Sequence, residues 1–128
     1  MDDAGEFLEL KELTEESPKF ELMERRLETL LDNQKILISN VRLKQNPNDV
    51  SLWLARAEIY KSKGKNAINQ VLATYKQAVE TIDLQLAIGK LSDVWVAFAK
   101  FYESHDRLED AISVYQTAMN KVFSFNLY

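Results

Sequence analysis

Apolar side chains recur along this chain at steps of three and four residues, the spacing that lines one face of an α-helix. Phe20, Met23, Leu27, Leu30 and Leu31 form one such row, and Ile36, Leu37, Val41 and Leu43 form another. Asp32 and Asn33, residues able to cap a helix, stand between them, so the pattern predicts a helix pair over 20–31 and 34–45 in which the packed region begins. Pro47 ends that pair, because proline inside a helix loses a hydrogen bond and clashes with the preceding turn. Asn48 or Asp49 then caps a helix running to about Ser62, and Lys63-Gly64-Lys65 supplies a turn in which glycine can take positive φ. A partner helix follows over about 66–82, then a connector to Ser92 with Gly89 at its bend. Ser92 or Asp93 caps the next helix, His105-Asp106 forms a turn, and Leu108 to Val122 is the last helix.

Two of these segments repeat. Trp53, Ala57 and Tyr60 occupy positions i, i+4 and i+7 of one helix, and Trp95, Ala99 and Tyr102 occupy the same positions 42 residues later (53 to 95). Each triplet is followed by a second match, Tyr75 with Ala78 and Tyr115 with Ala118, so the repeated unit is a helical hairpin. Hairpins at fixed spacing predict an all-α fold, an α-α superhelix or right-handed solenoid of stacked antiparallel pairs over 20–46, 48–83 and 92–122. Packed helix axes lie about 8–10 Å apart, so the small residues Ala57 and Ala99 leave room for Tyr75 and Tyr115, and Ala78 and Ala118 do the same a turn later. With Phe98 and Ala111, these twelve positions read as the repeat core rather than as a ligand box.

Charge and composition narrow the function. Residues 1–28 hold ten acidic and four basic side chains, whereas residues 29–128 hold ten and twelve. A region so near neutrality lacks the clustered Lys and Arg of a nucleic-acid footprint, which argues against direct nucleic-acid binding. Residues 1–19 read as a mobile acidic linker or short helix set off by Ser17-Pro18. With no cysteine, disulfides and thiolate metal sites are excluded. The longest apolar run, Val94 to Ala99, falls far short of a membrane span of roughly 20 residues. His105 and Asp106 sit in a turn with neither a matched nucleophile nor a second histidine, and no glycine-rich phosphate loop is present, so neither catalysis nor a cofactor or metal is expected. The apolar stretch Phe123 to Tyr128 has no polar capping helix behind it, which predicts a segment of a longer array, prone to self-association through uncapped ends.

Two repeat families resemble these units. Trp95, Phe98, Ala99, Tyr102, Ala111, Tyr115 and Ala118 follow tetratricopeptide spacing, but Tyr75 and Ala78 fall two residues late, and the 42-residue interval exceeds that family's period of about 34. Longer units opened by tryptophan look like half-a-TPR (HAT) repeats. The segment Leu91 to Glu103, the stretch Asn40 to Pro47 ahead of Trp53, and the connector Glu80 to Lys90 closely resemble the Syf family of pre-mRNA-splicing factors, termed XPA-binding protein two in animals. One departure is the absence of a proline that the family tends to carry after Asp32, where Lys35 and Ile36 stand here. The resemblance implies a non-catalytic, nuclear HAT-repeat scaffold of the spliceosomal NineTeen complex, in contact with other splicing proteins including a crooked-neck-type HAT protein. It also links animal members to transcription-coupled repair. The alternative, a tetratricopeptide-type adaptor gripping a short peptide, would require convergent Lys, Arg and Asn side chains on an inner groove.

Overall fold

The computed structural model describes residues 3–126, with side chains described for residues 17–121. Among these residues the chain is helical and without strands: α1 (Asp3–Gln45), α2 (Val50–Lys61), a 3-10 turn (Gly64–Ala67), α3 (Ile68–Thr81), α4 (Leu91–Ser104) and α5 (Leu108–Asn126). The fold is all-α, of the α-α superhelix class. It divides into two compact units, Met1–Lys35 and Ile36–Tyr128, whose boundary falls within α1.

The first unit departs from the sequence pattern. Helical structure continues through Ser17-Pro18, so the expected linker break does not occur, and it also continues through Asp32-Asn33, so no hairpin forms over 20–46. Proline in a helix interior costs about 3 kcal/mol, but Glu15, Glu16, Lys19, Glu21 and Leu22 around it are good helix formers. At 32–33 there is neither Gly nor Pro, and Asp and Asn are tolerated inside a helix when nothing forces a turn. The expected start of packing at Phe20 is likewise not seen. Phe20, Met23, Leu27, Leu30 and Leu31 are all exposed, Phe20 and Met23 by more than half (57% and 61%), because this unit contains no second described element to cover them.

In the second unit, Leu43 at the end of α1 joins the core, and Arg56 Nη1 of α2 donates to Asn40 Oδ1. Asp49 caps α2: its Oδ1 accepts from the Ser51 backbone N–H at 3.0 Å and from the Ser51 hydroxyl at 2.7 Å. Trp53 is anchored at its polar edge by the indole N–H, which donates to the Pro47 carbonyl at 2.9 Å. The proline that stops α1 therefore also supplies the acceptor for a buried tryptophan. After Lys61 the chain turns at Gly64, φ +78°, and spends one 3-10 turn before α3 starts at Ile68, two residues later than the pattern suggests.

The hairpins α2–α3 and α4–α5 stack through aromatic rings. Tyr75 of α3 lies 5.6 Å from Phe98 of α4, nearly parallel at 23°, and 6.2 Å from Phe101, and Phe98 in turn stacks on Tyr102 at 5.4 Å. The spacing sets Tyr75 opposite Ala57 in its own hairpin, and both lie in the one buried core; the Tyr75 ring also reaches across to the next hairpin.

The long connector is tied back to the first hairpin. Ile88 N–H donates to the Asn48 carbonyl (2.9 Å), Val50 N–H to the Ile88 carbonyl (3.0 Å), and Asp83 N–H to Asn48 Oδ1 (2.8 Å). Gly89, at φ +96°, makes this possible, since a Cβ there would lie 3.2 Å from Val50 Cβ. Helix α4 begins at Leu91, ahead of both expected caps. Lys90 takes the capping position without a side-chain bond, and Asp93 sits inside the first turn, where a carboxylate suits the helix dipole. Asp106 turns the chain into α5 at φ 58°, a conformation that short polar residues adopt more readily than others. The apolar stretch Phe123 to Tyr128 lies outside the described side chains.

Candidate interaction surface

The residues that the repeat singles out divide between core and margin. Trp53, Ala57, Tyr75, Ala78, Trp95, Phe98, Ala99, Tyr102 and Ala111 are buried, whereas Tyr60, Tyr115 and Ala118 are half-buried and pack against that core. They hold helices together and leave no polar atoms converging on a ligand. Phe101, Val94, Val71 and Leu72 are equally part of this core but stand outside the repeated triplets. Phe101 follows Phe98 by three residues and Val94 precedes it by four, so helical periodicity around Phe98 is the signal that could have found these two.

His105 is an exposed turn residue. Its Nδ1 lies 2.9 Å from the Phe101 carbonyl and 3.0 Å from Ser104 Oγ, and its ring packs on Phe101 at 4.3 Å. Among the described residues no group of His, Asp or Glu is placed to hold a metal ion, and no helix is long and apolar enough to cross a membrane.

The described residues of the second unit include two sizeable concavities. One, of about 590 Å³, opens where the end of α2, the 3-10 turn and the start of α3 meet the C-terminal half of α4. Phe101 and Ile68 contribute its apolar wall, and its charged side chains are Lys61, Lys65 and Lys100. Lys61 is held in place. Its ammonium pairs with Glu58 at 3.0 Å and lies over the rings of Tyr75 (5.6 Å) and Phe101 (5.9 Å). Burial works against that charge, but the Tyr75 hydroxyl and the Glu58 carboxylate outweigh it and hold the Lys61 pKa above the ordinary lysine value.

The other concavity, of about 830 Å³, lies between the end of α3, the connector, the start of α4 and the end of α5. Ile82, Leu84, Trp95, Val96 and Met119 make it predominantly apolar, and Lys121 crosses it 5.4 Å above the Trp95 ring. Tyr115 of α5, which also lines it, donates to Glu103 Oε2 at 3.3 Å.

Stacked helical hairpins bearing open grooves, with no polar cluster suited to bond making among the described residues, define a helical-repeat protein of the HAT class. The family described as Pre-mRNA-splicing factor SYF1 middle HAT repeat matches residues 1–82, which takes in α1 and the whole α2–α3 hairpin. The chain belongs to this family. It is 34% identical to Pre-mRNA-splicing factor SYF1 of Dictyostelium discoideum over 119 residues, covering 88% of this chain and 14% of that protein. It is 38% identical to the syf1 homolog of Drosophila melanogaster over 96 residues (75% of this chain, 10% of that protein) and 37% identical to SYF1 of Homo sapiens over 110 residues (86% and 12%). The chain thus spans between a tenth and a seventh of the length of these relatives.

Proposed function

We propose that this chain is one segment of a non-catalytic, nuclear scaffold for protein–protein contacts in pre-mRNA splicing, working within the NineTeen complex beside a crooked-neck-type HAT protein. The observation that carries the proposal is the construction of the second unit. Its aromatic rings are consumed in holding hairpins together, through Tyr75, Phe98 and Phe101, so that what faces outward is groove and helix surface. Such a body is suited to bind and position partners. The splicing context is supported by the relatives, whose names say pre-mRNA-splicing factor.

The test is recovery of partners. A tagged full-length parent protein, immunoprecipitated from nuclear extract, is expected to bring down splicing proteins, a crooked-neck-type HAT protein among them. A parent that is nuclear and folded yet recovers none of them would overturn the assignment.

A further inference from the structure

We propose that the cavity formed by Lys61, Lys65 and Lys100 over Phe101 docks an acidic linear peptide of a partner protein, one apolar side chain entering against Phe101 and Ile68 while flanking carboxylates meet the lysines. This names a partner class for the scaffold proposed above and rests on that reading.

Charge complementarity selects the occupant. Every charged side chain lining the cavity is cationic. The only carboxylate paired to one of them is Glu58, on Lys61, and among the described residues neither Lys65 nor Lys100 has an ion-pair partner. Three ammonium groups around one concavity repel each other, and an incoming pair of carboxylates relieves that repulsion while gaining charge-assisted hydrogen bonds. The three lysines come from separate elements, the end of α2, the 3-10 turn and the C-terminal half of α4, so the cluster exists only when the second hairpin is stacked on the first.

The apolar wall sets the second requirement. Phe101 lines the cavity with its ring packed near those of Tyr75 (6.2 Å) and His105 (4.3 Å), and with Ile68 it makes an apolar wall that a merely anionic ligand would leave uncovered. At about 590 Å³ the space falls within the range of sites that enclose a small ligand or a few side chains. A leucine-, isoleucine- or phenylalanine-bearing acidic segment satisfies both the wall and the rim.

A nucleic-acid strand fits less well. Its phosphates continue at regular intervals past any single site, and the chain next to the lining His105 carries more acidic than basic side chains, Glu103, Asp106, Glu109 and Asp110 against Arg107. A short acidic peptide needs only the three lysines that line this one cavity.

Fluorescence anisotropy with the 128-residue chain tests this, using as probe a fluorescein-labelled nonapeptide in which leucines and a phenylalanine are interspersed with aspartates and glutamates. Saturable binding is expected, weakened about tenfold or more, equivalent to about 1.4 kcal/mol, by the double variant Lys65→Gln with Lys100→Gln. Both lysines are exposed, so the variant should keep its circular-dichroism spectrum and melting midpoint. A probe with amides replacing every carboxylate should bind at least tenfold more weakly to the unaltered chain, a comparison that needs no variant. No saturable binding, equal binding by the double variant, or equal binding of the amide probe would each overturn the site. So would tighter, lysine-dependent binding of a fluorescein-labelled oligouridine, which would make it a phosphate site. Peptide binding that persists while the parent recovers no splicing proteins would refute the spliceosomal reading alone.

Discussion

The nearly parallel ring pair Tyr75–Phe98 joins the two hairpins, and a double-mutant cycle can isolate its contribution. Tyr75 is 1% exposed and Phe98 4%, with ring centroids 5.6 Å apart and planes inclined at 23°, so the contact is a direct offset stack. A buried aromatic side chain removes about 150–250 Å² from water. At about 25 cal/mol per Å² that sets an upper bound of about 4–6 kcal/mol for losing either ring. Leucine refills much of this volume, so Tyr75→Leu and Phe98→Leu are each expected to cost about 1–2 kcal/mol, small enough for a domain stable by about 5–15 kcal/mol to remain folded. The ring-on-ring contribution itself, beyond burial, is worth about 0.5–1.5 kcal/mol. The double variant should therefore be less destabilised than the sum of the singles by that amount. Tyr75→Leu also removes the hydroxyl near Lys61, but this loss is common to both arms of the cycle and cancels. The assay is urea denaturation of the four proteins, followed by far-ultraviolet circular dichroism and by tryptophan fluorescence, whose coincidence checks two-state behaviour. Additivity within about 0.3 kcal/mol would show that the rings are neighbours without energetic coupling, and the hairpins would then be held together by something other than this stack.

Two further perturbations follow from particular contacts. Gly89→Ala should lower stability by about 2 kcal/mol: positive φ costs an L-residue about 1–2 kcal/mol, and the new Cβ, 3.2 Å from Val50 Cβ, pushes on the residue whose N–H bonds the Ile88 carbonyl. A thermal melt indistinguishable from that of the unaltered chain would mean that the connector is not tied down there. Lys61 carries a pH signature. Its folded pKa is raised above 10.5, so the stabilisation from its pairing is fully present below pH 10.5 and is lost as pH rises through the raised value. Lys61→Met should flatten the alkaline fall in stability, measured by denaturation across that range, and an unchanged slope would remove Lys61 as its source.

The single-chain pattern is strongest where structure depends on nearest neighbours along the helix. Three- and four-residue spacing marks which side of a helix is apolar, and the tryptophan-led segments and long connector resemble HAT repeats closely enough to indicate the family. The same pattern misjudges residues 20–45. A row of apolar residues from Phe20 to Leu31 looks the same whether a neighbouring helix covers it or not, and only the described structure shows those side chains exposed and the helix unbroken at Asp32. Caps are ambiguous for a related reason. Ser92 and Asp93 are good cap residues, yet the connector's bonds to Asn48 and Val50 set where α4 begins and place both inside the helix.

The lysine cavity is not legible in the sequence at all. Lys61 and Lys65 are four positions apart, but Lys100 is thirty-five positions beyond Lys65 (65 to 100), and nothing local relates it to them. What the amino-acid order determined by itself is the all-α class and the HAT kinship, because helix formation and repeat spacing are written in short-range periodicity. What only the tertiary structure decided is which apolar faces find partners, that Tyr75 stacks across to Phe98 in the next hairpin, and that three lysines converge. Each of these depends on where distant segments come to lie, and period alone carries no information about distance in space.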